Sequence, residues 1–227
     1  PPVAAEGTMI SIRIPRVHRP TLADLETAGS IGPDVRERLA DLVARRQNVL
    51  VTGAAGAGKT TMLAALLAAA DASERIVTIE DVAELTLAHP HHVRLEARQP
   101  NLEGAGGVDL AQLVREALRM RPDRLVVGEC RGVEVRELLS ALNTGHDGGA
   151  GTLHANGLHD VPARLEALGA LAGLDDRSIA RQVHSAIGAV VHVARDRDGR
   201  RHVHAVGRPA IGPHGHLVIE ELAWPVG

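Results

Sequence analysis

The sequence predicts an α/β domain: a mostly parallel sheet with helices on both faces, finished by an antiparallel C-terminal portion of strands and helices. Three observations predict it. Short apolar strands alternate with helical stretches between residues 48 and 143. One of those strands runs through a glycine-rich turn straight into a helix. Residues 189–224 alternate apolar and polar side chains with the period of a pleated strand.

Taken in order, residues 9–14 alternate as a strand closed by Pro15, and a Pro-bounded stretch runs on to Pro20. From Pro33 a helical pattern follows through Val35, Leu39, Leu42 and Val43, with proline in the first turn. Residues 48–52 form an apolar strand, and the helix after the glycines carries Met62, Leu63, Leu66 and Leu67. Further strands are expected at 75–79, 92–95 and 124–127, with helices at 109–120 and 133–143 between them. Residues 150–154 read as a strand, 160–171 and 175–187 as helices, and residues 196–199 (Asp-Arg-Asp-Gly) as a hairpin turn in the tail. The expected division is a connector and remnant of a preceding domain over residues 1–34 and one domain over 35–227. Opening on Pro1-Pro2 without an initiator Met, the chain reads as a piece of a longer protein with no secretory signal in it.

Composition excludes several classes. Of 227 residues, 44% are hydrophobic and 23% charged, enough apolar matter for a packed core. Phe and Tyr are absent and Trp224 stands alone, so sites built on stacked aromatics are excluded. A net charge of −3 argues against bulk electrostatic binding, and no nucleic-acid partner is expected. Cys130 is the single cysteine, so neither a disulfide framework nor a four-cysteine zinc module can form, and no zinc is expected. No apolar run reaches the eighteen or so residues of a membrane span. Twenty-five residues are Lys or Arg, yet Lys59 is the one lysine.

That lysine sits in a motif. Gly53-Ala54-Ala55-Gly56-Ala57-Gly58-Lys59-Thr60 is a full G-x-x-x-x-G-K-[ST], between an apolar strand and a helix. The glycines let successive N–H groups face phosphate oxygens, the helix N-terminus adds partial positive charge, and the small alanines stay out of the way. Lys59 is expected to bridge the β- and γ-phosphates of ATP and the Thr60 hydroxyl to hold Mg²⁺. Hydrolysis also needs a group that orders water. Leu125-Val126-Val127-Gly128-Glu129 is an apolar strand ending in Gly and then Glu, which puts Glu129 at the sheet edge where open α/β folds bind ligands; it is the candidate base, with a metal contact. In the box Ile79-Glu80-Asp81-Val82-Ala83-Glu84, Asp81 and Glu84 read equally as a helix capping box or as metal-shell and catalytic groups, while Glu80, which a cap does not explain, is a candidate catalytic group. The glycine-rich run 144–151, followed by His154 and Asn156, is placed to sense a γ-phosphate. Arg119 and Arg121, before the Glu129 strand, are candidate arginine fingers between subunits, as are Arg94 and Arg98. The His202/His204 and His214/His216 pairs have metal-ligand spacing but read as solvent-facing.

In this combination the chain resembles the secretion-ATPase superfamily of P-loop proteins, and within it the Tad/CpaF-type pilus-assembly branch. The resemblance rests on residues 48–61, 74–81, 117–124, 127–132 and 143–156. It implies a RecA-like P-loop NTPase domain that hydrolyses ATP with Mg²⁺ to drive pilus assembly or secretion. It implies Walker A at Gly53 through Thr61, an acidic box at Glu80 and Asp81, an atypical Walker B at Glu129 and a histidine box at His154. Arg13 and Arg16 fall where the family places a nucleotide-reaching arginine. The resemblance further implies a homo-hexameric ring, a cytoplasmic location against the inner face of the membrane, and a platform protein of the pilus or secretion machinery as partner. Gly149, Ala150 and Gly151 replace the usual Ser and Thr, which predicts a more mobile loop. Two other readings remain: a DNA-translocating motor, and a regulatory subunit that binds nucleotide without hydrolysing it.

Overall fold

The computed structural model describes residues 19–101 and 103–224, so the expected strand at 9–14 and Arg13 and Arg16 lie outside the described residues. Eight strands form one sheet in the order β3-β2-β4-β5-β1-β6-β7-β8. They are β1 (Val49–Gly53), β2 (Ile76–Glu80), β3 (His92–Glu96), β4 (Arg124–Val127), β5 (Ala150–His154), β6 (Ala189–Arg195), β7 (Arg201–Ile211) and β8 (Leu217–Glu221). The first six run parallel, and β7 and β8 add antiparallel to the β6 edge. The tail is therefore split: β6 pairs parallel with β1 on one side and antiparallel with β7 on the other.

Side chains that alternate along each strand build two cores, one per face. Val49 and Val51 of β1, Ile76 of β2 and Val126 of β4 pack under α1 (Leu22–Thr27), α2 (Pro33–Ala44) and α3 (Lys59–Ala68). Leu50, Val77, Ile79, Leu125 and Val127 pack on the other face. That face is covered by α4 (Leu110–Leu118), α5 (Glu134–Leu142), α6 (Val161–Leu171) and α7 (Asp176–Ala186). With no Phe or Tyr, branched aliphatics fill both layers, and the lone Trp224 lies at the rim with the Arg38 guanidinium 5.6 Å from its ring centre.

Buried polar groups fasten the N-terminal ends of the parallel strands. Asn48 donates to the Ala186 carbonyl at 2.7 Å and accepts from the Gly149 N–H at 2.9 Å, tying β1, α7 and β5 together. Glu74 pairs with Arg46 and, at 2.6 Å, with Arg124, whose other nitrogens donate to the carbonyls of Gly148 and Val43. Arg46 itself has φ 53 at the end of α2, a left-handed cap position; its N–H donates to Val43 and that of Gln47 to Leu42.

Two expectations are corrected here. No helix follows Asp81: residues 81–91 cross to β3 as loop, so Asp81 and Glu84 form no capping box. The sequence signature is local, but the backbone must travel to a neighbouring parallel strand. Nor are Gly149, Ala150 and Gly151 a mobile loop. Ala150 and Gly151 are paired inside β5, and a Cβ on Gly149 would stand 2.3 Å from Leu142 Cδ2 and 2.7 Å from the Leu125 carbonyl. Glycine is there for close packing.

Candidate nucleotide site

The phosphate loop leaves β1 at Gly53 and enters α3 at Lys59. A Cβ on Gly53 would lie 2.4 Å from the Val193 carbonyl, so only glycine lets β1 turn against β6. Gly58 caps α3 with φ 102, a backbone that side chains disfavour, and leaves the helix N-terminus open toward a cavity of about 1050 Å³. Ala55, Gly56, Gly58, Lys59, Thr60 and Thr61 line that cavity, as do Glu80, Asp81, Glu129 and His154. Gly53 and Ala54 present carbonyls to Lys59, whose ammonium donates to each at 3.0 Å; Ala57 is buried beneath the loop. The residues of the loop, the acidic box, the Glu129 strand and the histidine box thus converge in one place, at the C-terminal edge of the parallel strands.

Glu129 is the hinge of the arrangement. One carboxylate oxygen accepts from Arg131 Nη2 at 2.6 Å. The other, Oε1, lies 3.0 Å from His154 Nε2 yet is buried without an aligned hydrogen-bond donor. The loop that carries it is laced to its surroundings. Thr152 Oγ1 donates to the Gly128 carbonyl, the Cys130 N–H to the Thr152 carbonyl, and the N–H groups of Arg131 and Gly132 to the Glu134 carboxylate. A Cβ on Gly128 would sit 2.6 Å from Glu80 Cγ, so the glycine is what lets Glu80 lie alongside. Glu80 itself accepts from the N–H groups of Glu84 and Leu85. Buried and held by these bonds, it braces the loop that follows β2 and lines the cavity as well.

Charge follows from this geometry. Burial alone would raise the Glu129 carboxyl, but the Arg131 hydrogen bond and charge, with His154 and Lys59, bring it below its ordinary value. It is a carboxylate at neutral pH. Burial lowers the Lys59 ammonium, with Glu129 opposing and Arg131 adding to the shift. Burial and then Lys59 lower His154, whose ring nitrogens are 3.4 and 3.5 Å from Lys59 Nζ, so the imidazole is neutral at pH 7. Burial pushes the neighbouring Cys130 thiol up, removing it as a nucleophile.

The donor set fits a nucleotide with Mg²⁺. An orphaned buried carboxylate oxygen, the Thr60 hydroxyl and the Asp81 carboxylate line the same cavity. Among the described residues no three His, Cys, Asp or Glu side chains come close enough to hold a metal unaided, so phosphate oxygens and water would complete the shell. Neither histidine pair belongs to such a group, and His202 is not solvent-facing as its spacing suggested: its side chain is 14% exposed, with Nδ1 3.5 Å from the Asp196 carboxylate.

Other sequence candidates lie elsewhere. Arg119 and Arg121 precede β4 at the opposite edge of the sheet from the phosphate loop; Arg119 caps α4 and pairs with Glu116. They do not line the cavity of their own chain. Residues 144–149 also lie at that far edge, and only the end of β5, at Thr152 and His154, reaches the cavity. Arg94 and Arg98 donate to the carbonyls of Ala83 and Gly106. Sequence reasoning missed Arg131, two residues past Glu129, and Arg201, which donates to the Gly56 carbonyl at 2.9 Å.

Comparison with known proteins accords with this geometry. Residues 1–214 match the family described as Type II/IV secretion system protein. The chain belongs to that family. A putative conjugal transfer protein of Mycobacterium tuberculosis is 57% identical over 201 residues, 88% of this chain and 57% of the relative. The chain thus spans little more than half the length of that relative. The crystal structure of the VirB11 ATPase from the Brucella suis type IV secretion system, in complex with sulphate, superposes with a TM-score of 0.64 at 31% identity. The match covers 82% of this chain and 54% of that one. The pilus retraction motor PilT with bound ADP matches at a TM-score of 0.61 and 25% identity, over 92% of this chain and 55% of that one. The mostly parallel sheet with antiparallel C-terminal strands is the fold of these secretion ATPases. No helix among the described residues is long and apolar enough to cross a membrane.

Proposed function

We propose that this chain is the ATP-hydrolysing motor domain of a secretion machine of the type IV class. One observation carries the reading: Lys59, Glu129, His154 and Arg131 meet in a single cavity over the phosphate loop. In this reading Lys59 exchanges the carbonyls of Gly53 and Ala54 for phosphate oxygens. Glu129, ionised at neutral pH, orients a water for in-line attack and accepts its proton at Oε1. Neutral His154, between Lys59 and Glu129, registers the terminal phosphate and passes its loss to β5. Thr60, with Asp81 and Glu129, would hold Mg²⁺, which would neutralise charge on the phosphates.

The relatives, a putative conjugal transfer protein and a type IV secretion ATPase, favour conjugal transfer and type IV secretion. Tad/CpaF-type pilus assembly is the finer assignment, and it is supported by the sequence stretches alone. A homo-hexamer at the inner face of the membrane, working on a platform protein, completes the proposal, as does the division at residue 34. Arg119, Arg121 or Arg13 then act, if they touch nucleotide, in a neighbouring subunit's site or from the connector.

Lys59→Ala tests the site. Calorimetric titration with ADP is expected to show one site per chain that the substitution abolishes, because the loop loses its only ammonium. Equal affinity in both proteins contradicts the assignment.

A further inference from the structure

We propose that Arg201 is a second cation of the nucleotide site, holding the nucleoside-diphosphate end of the bound nucleotide from the flank of the loop opposite Glu129. This rests on the reading of the cavity as an ATP site and extends it to a residue outside the motif.

Sheet topology makes the placement. Strand β1 carries the phosphate loop; Glu129 follows β4, two strands to one side, and Arg201 begins β7, two strands to the other. Because β7 is antiparallel to β6, its first residue stands at the same edge as the C-terminal ends of the parallel strands. Arg201 lines the same cavity as Lys59 and Thr60. Its Nε donates to the Gly56 carbonyl at 2.9 Å, and its Cδ lies 3.1 Å from where a Gly58 Cβ would be. The glycines of the loop therefore admit Arg201 against it, a second use of their missing side chains.

Its backbone is held from the other side. Arg200 donates twice to the Gly29 carbonyl, at 3.2 and 2.6 Å, and the Val203 N–H donates to Ser30. Arg201 thus starts from a fixed point, while among the described residues no carboxylate pairs with it and only Nε is engaged. A guanidinium with its outer nitrogens unspent, on an open cavity beside a phosphate loop, suits bidentate binding of phosphate oxygens. If the terminal phosphate faces Glu129, the diphosphate and its nucleoside extend toward this opposite flank. Arg201 then contributes to ADP and ATP alike, unlike a group that reads the γ-phosphate.

The test is affinity for ADP and for a non-hydrolysable ATP analogue, by calorimetry on this chain, in Arg201→Ala, Arg201→Gln and Arg201→Lys. The expected result is a loss of about tenfold or more for both nucleotides in the Ala and Gln variants, with partial recovery in Lys. Gln keeps an N–H donor for the Gly56 carbonyl but no charge, so it separates phosphate binding from loop pinning. Unchanged affinity in Arg201→Ala, a loss confined to the triphosphate, recovery by Gln, or an unmodified chain that binds neither nucleotide would overturn the proposal. Because ADP affinity is what is read, the outcome does not depend on whether the full-length protein turns ATP over.

Discussion

Glu129→Gln is expected to retain nucleotide while losing turnover. The substitution keeps the shape of the side chain and an oxygen for Arg131, but removes the negative charge that the site maintains. Arg131 at 2.6 Å, with Lys59 behind it, outweighs burial and keeps this carboxyl ionised. An amide in its place can neither take a proton from water nor pull its O–H toward the sheet edge. General-base groups are worth about 10²–10⁴ in rate, so kcat should fall at least a hundredfold while the dissociation constant for ADP stays within about threefold. Stopped-time phosphate release and ADP titration on the full-length protein measure the two quantities. Turnover by Glu129→Gln equal to that of the unmodified protein would falsify the assigned role.

The second large effect is on stability and lies far from the cavity. Glu74→Ala removes the carboxylate that Arg124 contacts, and Arg124 is 3% exposed. The guanidinium keeps its bonds to Gly148 and Val43 but is left as an uncompensated buried charge. Breaking such a pair costs about 3–5 kcal/mol, or a fall in Tm of roughly 10 °C for a domain of this size. Replacing both partners, Glu74→Met with Arg124→Met, should cost less than Glu74→Ala, because the cation then left without its carboxylate is Arg46, 38% exposed and still donating to the Asp123 and Asp147 carbonyls, and not a buried one. Thermal melts of these variants measure the difference. A Tm for Glu74→Ala within about 1 °C of the unmodified chain contradicts this role for the pair.

What could be read from the sequence was what depends on neighbours in the chain. The phosphate loop is such a case, since eight consecutive residues between a strand and a helix fix both the geometry and the chemistry. Glu129 was legible because an apolar strand, ending at Val127, delivers the residues just past it to a known edge of the sheet. The capping box was misread because Asp81 and Glu84 carry a local signature, whereas Glu80 is buried and claims the N–H groups of Glu84 and Leu85. Burial of that kind is a tertiary fact. Likewise the alternation of residues 189–195 gives a strand but not its partners, and β6 turned out to pair with β1 in parallel. Arg201 was hidden twice over: it is one arginine among many, and the glycine it contacts is 145 residues away. Arg131 was in view, beside Glu129, but nothing in its spacing distinguishes a clamp from a solvated side chain.

The measurement closest to the central claim is phosphate release from ATP by the full-length protein, with Lys59→Ala as its blank. Mg²⁺-dependent, steady-state release is expected from the unmodified protein, and none above background from Lys59→Ala. Release no faster from the unmodified protein than from the variant would contradict the claim that this cavity hydrolyses ATP.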